Sequence, residues 1–391
     1  MKVLYILHST IMSGSMISFK NLIHGIVKKG IKPIIVYPRG EYNEVIKHFE
    51  EIGCHCYKSF VEVSVLPNNC ILIETLIRSL KIFIFKILSF INIYVIVKRT
   101  NPDLIHTNTG VIHEGYFVSR MENIPHVWHI REYQTKDFNW RIFPTEKSFV
   151  KKLSKSNVVF ITKDLQNYFR QLEDNANVIY NPIYCLSELK SVPIDKKEKY
   201  FLVANRISKE KGIEDIIVGL SEFLKVSGKY TLKIVGLGDP NYVNSLKDMC
   251  KTLDINDKVE FLGYVSDMHN LITNATSLLV GSYYEAFGRM TAEANLLGTY
   301  VIGRNTGGTK EILELTHGGN LFDDIKEIPM LIEKYINLSN YEKTTIQYKA
   351  KQVAIEFFTA ENHCDKILDL YNKMTVNFNG RTKKRASKNH E

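Results

Sequence analysis

Short apolar runs alternate along the chain with longer stretches whose apolar residues recur every three or four positions. That alternation predicts strands joined by helical crossovers, hence a parallel α/β sheet. The run at 3–7 is the first strand. A loop, Ser9-Thr10-Ile11-Met12-Ser13-Gly14-Ser15, leads into a helix with Ile17, Leu22, Ile23, Ile26 and Val27 on one face, stopped by Gly30. Further strands are predicted at 34–37, 103–106, 127–130, 158–161 and 178–180. Residues 185–199 are polar and charged, hold Pro193 and predict a linker. A second series follows, with strands at 201–204, 232–235, 259–262, 277–280 and 300–302. Its helices are predicted at about 213–226, 241–252, 267–274, 289–297 and 308–315, and 341–375 as C-terminal helix. The expected division is a domain at 1–184, a linker at 185–199, a domain at 200–376 and a disordered basic tail at 377–391.

Composition narrows the class. Of 391 residues, 45% are apolar and 24% charged, which excludes a disordered or fibrous chain and supplies cores for two domains. Residues 1–183 carry 23 basic and 15 acidic side chains, net +8, whereas 184–391 carry 28 and 27, net +1. The excess in the first half points to an anionic partner there. Nucleic acid is not expected, because no recognition module accompanies the charge. Six scattered cysteines, with only Cys54 and Cys56 close together, suit free thiols in a reducing compartment better than a metal site. The first apolar run is too short for a secretory signal, so a cytoplasmic location is expected.

The stretch from Leu76 to Val97 is nearly all apolar and long enough to span a bilayer, but Arg78, Lys81 and Lys86 interrupt it. At 3.6 residues per turn these cations fall on one broad arc. A basic amphipathic helix lying on an anionic membrane is expected, with a buried domain helix as the alternative.

Candidate chemistry gathers where strands lead into helices. After the strand at 277–280 comes Ser282-Tyr283-Tyr284-Glu285-Ala286-Phe287-Gly288-Arg289-Met290-Thr291-Ala292-Glu293-Ala294. Ligands of open parallel sheets sit at the carboxyl ends of strands, and free amides at a helix N-terminus bind anions. Carboxylates beside such a site suit sugar or ribose hydroxyls, although on spacing alone Glu285 and Glu293 equally suit solvated helix positions. Asn205-Arg206-Ile207-Ser208-Lys209-Glu210-Lys211-Gly212 also sits between strand and helix, where two cations can neutralise a diphosphate or simply line an exposed loop. Gly307-Gly308-Thr309-Lys310-Glu311 is a third such junction. Gly236-Leu237-Gly238-Asp239-Pro240-Asn241 begins like a dinucleotide fingerprint but lacks its third glycine, and Pro240 predicts a turn.

Taken together, N-R-I-S-K-E-K-G, E-A-F-G-R-M-T-A-E-A and G-G-T-K-E-I resemble glycosyltransferase family 4. The resemblance implies a GT-B fold, with two Rossmann-like α/β domains facing across a cleft and a C-terminal helix packing back. It also implies a retaining transferase that takes a sugar from a nucleotide-sugar, a UDP-sugar being expected first. Glu285 and Glu293 match the family's E-x7-E pair, and Arg206 and Lys211 its basic pair. By that match Arg206 and Lys211 would hold the diphosphate and Glu293 the ribose. Glu285 would contact the donor sugar, with amides from Phe287, Gly288, Arg289 and Met290. Gly14 resembles the family's glycine loop, although many members have two glycines there. His129, in Trp128-His129-Ile130-Arg131-Glu132, resembles the histidine facing the donor sugar. His106 resembles the histidine ending an earlier strand, and with Arg131 is a candidate for acceptor binding. Arg131 replaces a common aspartate and would bind an anionic acceptor or pair with an acid such as Glu132. No metal or other cofactor is expected, since the chain has no D-x-D triplet. The acceptor expected is a lipid-linked or phosphorylated glycan of bacterial surface-polysaccharide synthesis, worked on at the inner face of the cell membrane. A soluble sugar acceptor, or a catalytically silent subunit that stabilises a partner transferase, are the alternatives.

Overall fold

The computed structural model describes residues 1–69, 71–170, 175–189 and 192–388, excepting the side chains of 137, 138, 194, 377 and 379–388. Its contacts divide the chain into two compact units. One is Met1–Pro182 with the chain from Ala360, and the other is Ile183–Thr359.

The first unit contains β1 (Lys2–Ile6), β2 (Lys32–Pro38), β3 (His55–Ser59), β4 (Val65–Pro67), β5 (Leu104–Thr107), β6 (His126–Ile130), β7 (Trp140–Ile142), β8 (Asn157–Phe160) and β9 (Ala176–Val178). Seven form a parallel sheet in the order β3-β2-β1-β5-β6-β8-β9, while β4 and β7 pair as an antiparallel ribbon. The second unit holds β10 (Tyr200–Ala204), β11 (Thr231–Val235), β12 (Val259–Gly263), β13 (Ser277–Val280), β14 (Tyr300–Arg304) and β15 (Gly319–Phe322). Its parallel order, β12-β11-β10-β13-β14-β15, is that of a dinucleotide-type doubly wound sheet. In both sheets the winding reverses beside the first strand, which places the switch points between β1 and β5 and between β10 and β13. The central strands are buried on both faces, as continuous apolar sequence requires.

Local sequence sets the helix ends. Ser13, Asn43, Thr145 and Thr162 accept amide hydrogen bonds as N-caps, and Ser339 forms a capping box with Glu342. Pro240 does not make a turn. It is the first residue of the helix Pro240–Thr252, capped by Asp239, a position where a missing N–H costs nothing.

Three features depart from the sequence expectation. Residues 341–375 are not one helix. The helix Asn340–Phe358 stops at Thr359, which is extended (φ −81°, ψ 153°), and a separate helix, Ala360–Lys388, begins there. This last helix belongs to the first unit, where Cys364, Ile367, Leu370, Tyr371 and Met374 join a core containing Tyr5, Phe19 and Ile23. The expected tail at 377–391 is helical backbone as far as Lys388, and 389–391 lie outside the described residues. The expected linker is also tied down. It carries short 3-10 turns at Leu186–Glu188 and Ile194–Lys196, and Lys197 Nζ donates to Thr273 O at 2.7 Å, Thr299 Oγ1 at 2.9 Å and Ala275 O at 3.2 Å.

The third is the apolar stretch, which lies in the helix Leu72–Thr100, the one described helix long and apolar enough to cross a membrane. Ile82, Ser89, Ile93, Ile96 and Val97 are buried against the unit. Lys86 lies on this inner side, where its Nζ is 2.7 Å from a carboxylate oxygen of the buried Glu114. The three cations therefore do not share an outward arc.

Candidate active site

At the second unit's switch point the loops after β10, β13 and β14 are stitched together by backbone. Tyr283 N donates to Glu210 O (3.0 Å), and Gly308 N donates to Glu285 O (2.7 Å). These contacts leave no room for side chains. A Cβ on Gly212 would meet Gly281 O at 2.1 Å, and one on Gly308 would meet Phe287 O at 2.0 Å. The glycines thus serve close approach.

The approach gathers most of the residues expected in the second unit. Lys211 Nζ is 3.0 Å from Glu285 Oε2, and both side chains are just over four-fifths covered. Two helices begin alongside, Arg289–Leu296 and Gly307–Thr316, so Gly288, Arg289 and Met290 present first-turn amides. Phe287 is buried and packs edge-on against Phe358. Glu293 is buried a turn deeper. It accepts a hydrogen bond from the Tyr184 hydroxyl, and Arg289 Nε lies 3.7 Å from its other oxygen. Burial, followed by the Glu293 charge, raises the Tyr184 phenol far above its ordinary value. Arg206 stands further out, mostly exposed, with Glu210 at 2.5 Å.

Two parts of this site were not foreseen. The segment 236–239 packs onto the loop after β10, with Ile207 N donating to Leu237 O (2.8 Å). The two form a groove of about 550 Å³ lined by Arg206, Ile207, Leu237, Asp239 and Tyr242. The glycine pair at 236 and 238 was its visible trace. Arg304 braces the loop after β13, donating to Gly281 O (2.9 Å) and to Asp215 and lying over the Tyr283 ring. No spacing in the sequence marked it.

The first unit's candidates occupy a different setting. Gly14 is exposed at the start of the helix Gly14–Lys28. His106 and His129 are both fully buried. His106 Nδ1 is 2.5 Å from the Tyr371 hydroxyl, and its Nε2 is 3.2 Å from His129 Nδ1. With both nitrogens engaged, His106 props its neighbours and does not line a surface. His129 Nε2 has no partner among the described residues. Among the described residues Arg131 pairs with neither Glu132 nor another acid. Its guanidinium donates to the side-chain oxygens of Asn108 and Asn181, which also were not foreseen. Glu132 instead accepts from Thr109 and the Gly110 amide. Burial, then the Arg131 charge, drives His106, His129 and His363 down, His363 to about 3, and burial lowers Arg131 itself to about 10. The three imidazoles are neutral at pH 7.

Residues 187–352, which contain all of the second unit's candidates, match the family described as glycosyl transferases group 1. The chain is similar to an uncharacterized glycosyltransferase, MJ1607, of Methanocaldococcus jannaschii, at 29% identity over 40% of this chain and 44% of the relative. It is also similar to the 2-deoxystreptamine N-acetyl-D-glucosaminyltransferase of Niallia circulans, at 28% identity over 56% of this chain and 62% of the relative. The chain thus spans about half the length of the relatives it matches. Among solved structures, Anabaena Alr3699/HepE in complex with UDP superposes with a TM-score of 0.77 at 19% identity, over 95% of this chain and 100% of that one. The fold is GT-B, built from two parallel-sheet α/β domains.

Proposed function

We propose that the protein is a retaining glycosyltransferase that moves a sugar from a UDP-sugar to a lipid-linked or phosphorylated glycan, at the inner face of a bacterial membrane during surface-polysaccharide synthesis. The observation that supports it is the meeting of Lys211, Glu285 and two helix N-termini at the second unit's switch point. A leaving nucleoside diphosphate develops charge on its β-phosphate, and fixed cations and free amides stabilise that charge. In this reading Lys211 and Arg206 face the diphosphate and Glu293 the ribose. Glu285 accepts from a sugar hydroxyl while its ion pair holds Lys211 in place. The bond between the anomeric carbon and the β-phosphate oxygen breaks. The acceptor hydroxyl bonds to that carbon on the same face, and its proton passes to the departing phosphate oxygen. This arrangement is read as needing no metal. In the first unit, His129 Nε2 is one of several buried polar atoms without a partner among the described residues, and in this reading it meets a substrate hydroxyl. The UDP bound in Alr3699/HepE favours the choice of nucleotide.

A thermal-shift series with UDP, GDP and ADP, followed by their sugars, tests the reading. UDP at 100 times its dissociation constant should add about 2.7 kcal/mol to stability, and GDP and ADP much less. Absence of a shift with every nucleotide would remove the donor site.

A further inference from the structure

The helix Leu72–Thr100 presents an outward face with no described partner. At about 100° per residue, Ile73, Ile77, Leu80, Ile84, Ile87 and Ile91 all fall within about 40° of the direction opposite the buried Ile82. Each is 47–64% exposed. The strip runs about 27 Å along the axis, at about 1.5 Å per residue. Soluble monomers rarely leave so continuous an apolar patch, and such patches mark contact with protein or membrane. The helix does not cross a bilayer while Ile82, Ser89, Ile93 and Val97 pack against their own unit. It has to lie in the plane of whatever covers it.

Two observations choose lipid over a second copy. The strip is wholly aliphatic, whereas the centres of protein interfaces favour Tyr, Trp, Met and Arg and carry regular hydrogen bonds. A second copy would also bring two regions of net +8 together, while an anionic leaflet complements that charge. Lys81 flanks the strip about 80° from its centre, and Arg78 lies about 140° away, toward the buried Ile82, though both side chains are exposed. With Glu62 and Trp140 they line a groove of about 510 Å³, and neither forms an ion pair among the described residues. Exposed cations above an aliphatic strip suit the headgroup level of a bilayer.

We infer that this face docks on an anionic membrane, with the aliphatic strip in the acyl boundary and Arg78 and Lys81 among the headgroups. The sequence alone predicts a basic amphipathic helix whose three cations share one arc. The structure keeps Lys86 inside and leaves a strip of isoleucines and Leu80 outside. The inference rests on the proposed transferase reading only for its purpose, which is to hold the first unit beside a lipid-linked acceptor.

Co-sedimentation of the full chain with vesicles tests it, using phosphatidylcholine alone and phosphatidylcholine mixed with phosphatidylglycerol. The protein should sediment with the mixed vesicles. Ile84→Glu and Ile87→Glu should each weaken that partition about tenfold or more, since each withdraws an apolar side chain from the acyl boundary. Arg78→Glu with Lys81→Glu should weaken it further at low salt than at high salt. UDP binding, followed by calorimetry on the same variants, should not change, so that loss of docking and loss of the donor site are told apart. Failure to sediment with either vesicle overturns the inference, as does unchanged binding in the isoleucine variants. So does a dimer in sedimentation equilibrium that Ile84→Glu dissociates, which would make a second copy the occupant.

Discussion

β10 and β13 part to leave three loops that backbone holds together, with glycines where the strands of the chain touch. The charged groups set on them, Lys211 and Glu285, remain partly open to solvent. β1 and β5 part at the corresponding place in the first unit, but side chains fill the gap. Tyr5 and His106 are register partners across the two strands. Tyr371, from the last helix, touches both, and His129, His363 and Arg131 complete a dry network. The same winding thus produces one site organised by main chain and charge, and another organised by neutral imidazoles and a helix that arrives from the far end of the sequence. The first can lose a charged side chain without losing its shape, but not a glycine. The second depends on burial.

The sharpest break in that contrast is at Glu285. Glu285→Gln keeps the loop, because Gly308 binds the Glu285 backbone carbonyl, but it removes the carboxylate. Turnover should fall by about 10²–10³-fold, the scale of a preorganised electrostatic contact, while calorimetry still detects UDP. Near-normal turnover would move the proposed sugar contact elsewhere.

Acid should separate the two units. His106, His126, His129 and His363 all belong to the first unit, and burial lowers each of them. A depressed histidine is neutral in the folded state and protonates first in the unfolded state. Its contribution is therefore complete above the ordinary value of about 6.5, and is lost as pH falls toward the folded value. For His126 and His363 that value is about 3. Both tryptophans, Trp128 and Trp140, lie in the first unit, so their fluorescence reports it alone. Between pH 7 and pH 4 the fluorescence-detected unfolding free energy should drop by several kcal/mol, since each such histidine contributes about 1.4 kcal/mol per pH unit below about 6.5. UDP-protected unfolding of the second unit should move less. Equal acid sensitivity would contradict the contrast.

Smaller effects sharpen it. Lys211→Ala should weaken UDP binding by about 10–100-fold, because a charge-assisted contact from a mostly covered group is lost. Arg206→Ala should cost less, since that side chain is 64% exposed, and the double variant more than either. Calorimetry with UDP measures all three. Tyr371→Phe deletes one hydroxyl from the first unit's network, leaving Tyr5 and His106 each short of a partner. A loss of about 1 kcal/mol in urea unfolding is expected, with UDP affinity unchanged.

What the sequence made legible follows the same division. Strands buried on both faces announce themselves as apolar runs, and the series from 3–7 to 300–302 agrees with the observed strands. β3 (His-Cys-Tyr-Lys-Ser) and β15 (Gly-Asn-Leu-Phe) were missed because they are edge strands, held by one neighbour and rich in polar residues. The loops of the second unit were legible because close backbone approach demands glycine, and glycine is visible in sequence. The partners of His106 and Arg131 were not, because Asn108, Asn181 and Tyr371 are ordinary residue types made specific only by long-range packing. The membrane stretch was legible as a helix but not in its orientation. Its charges were visible, but Glu114, which draws Lys86 inward, lies 28 residues away.

The break at Thr359 has a consequence for synthesis. The chain leaves the first unit after Pro182, builds the whole second unit, and returns only at Ala360. A ribosome adding about 5–20 residues per second needs roughly 10–35 s for that excursion. During this interval Tyr5, Phe19 and Ile23 have been made but their cover has not. The unit begun first is finished last. A nascent or prematurely terminated chain therefore exposes an apolar face in the half whose charge favours anionic surfaces, and the last helix is the latch that covers it.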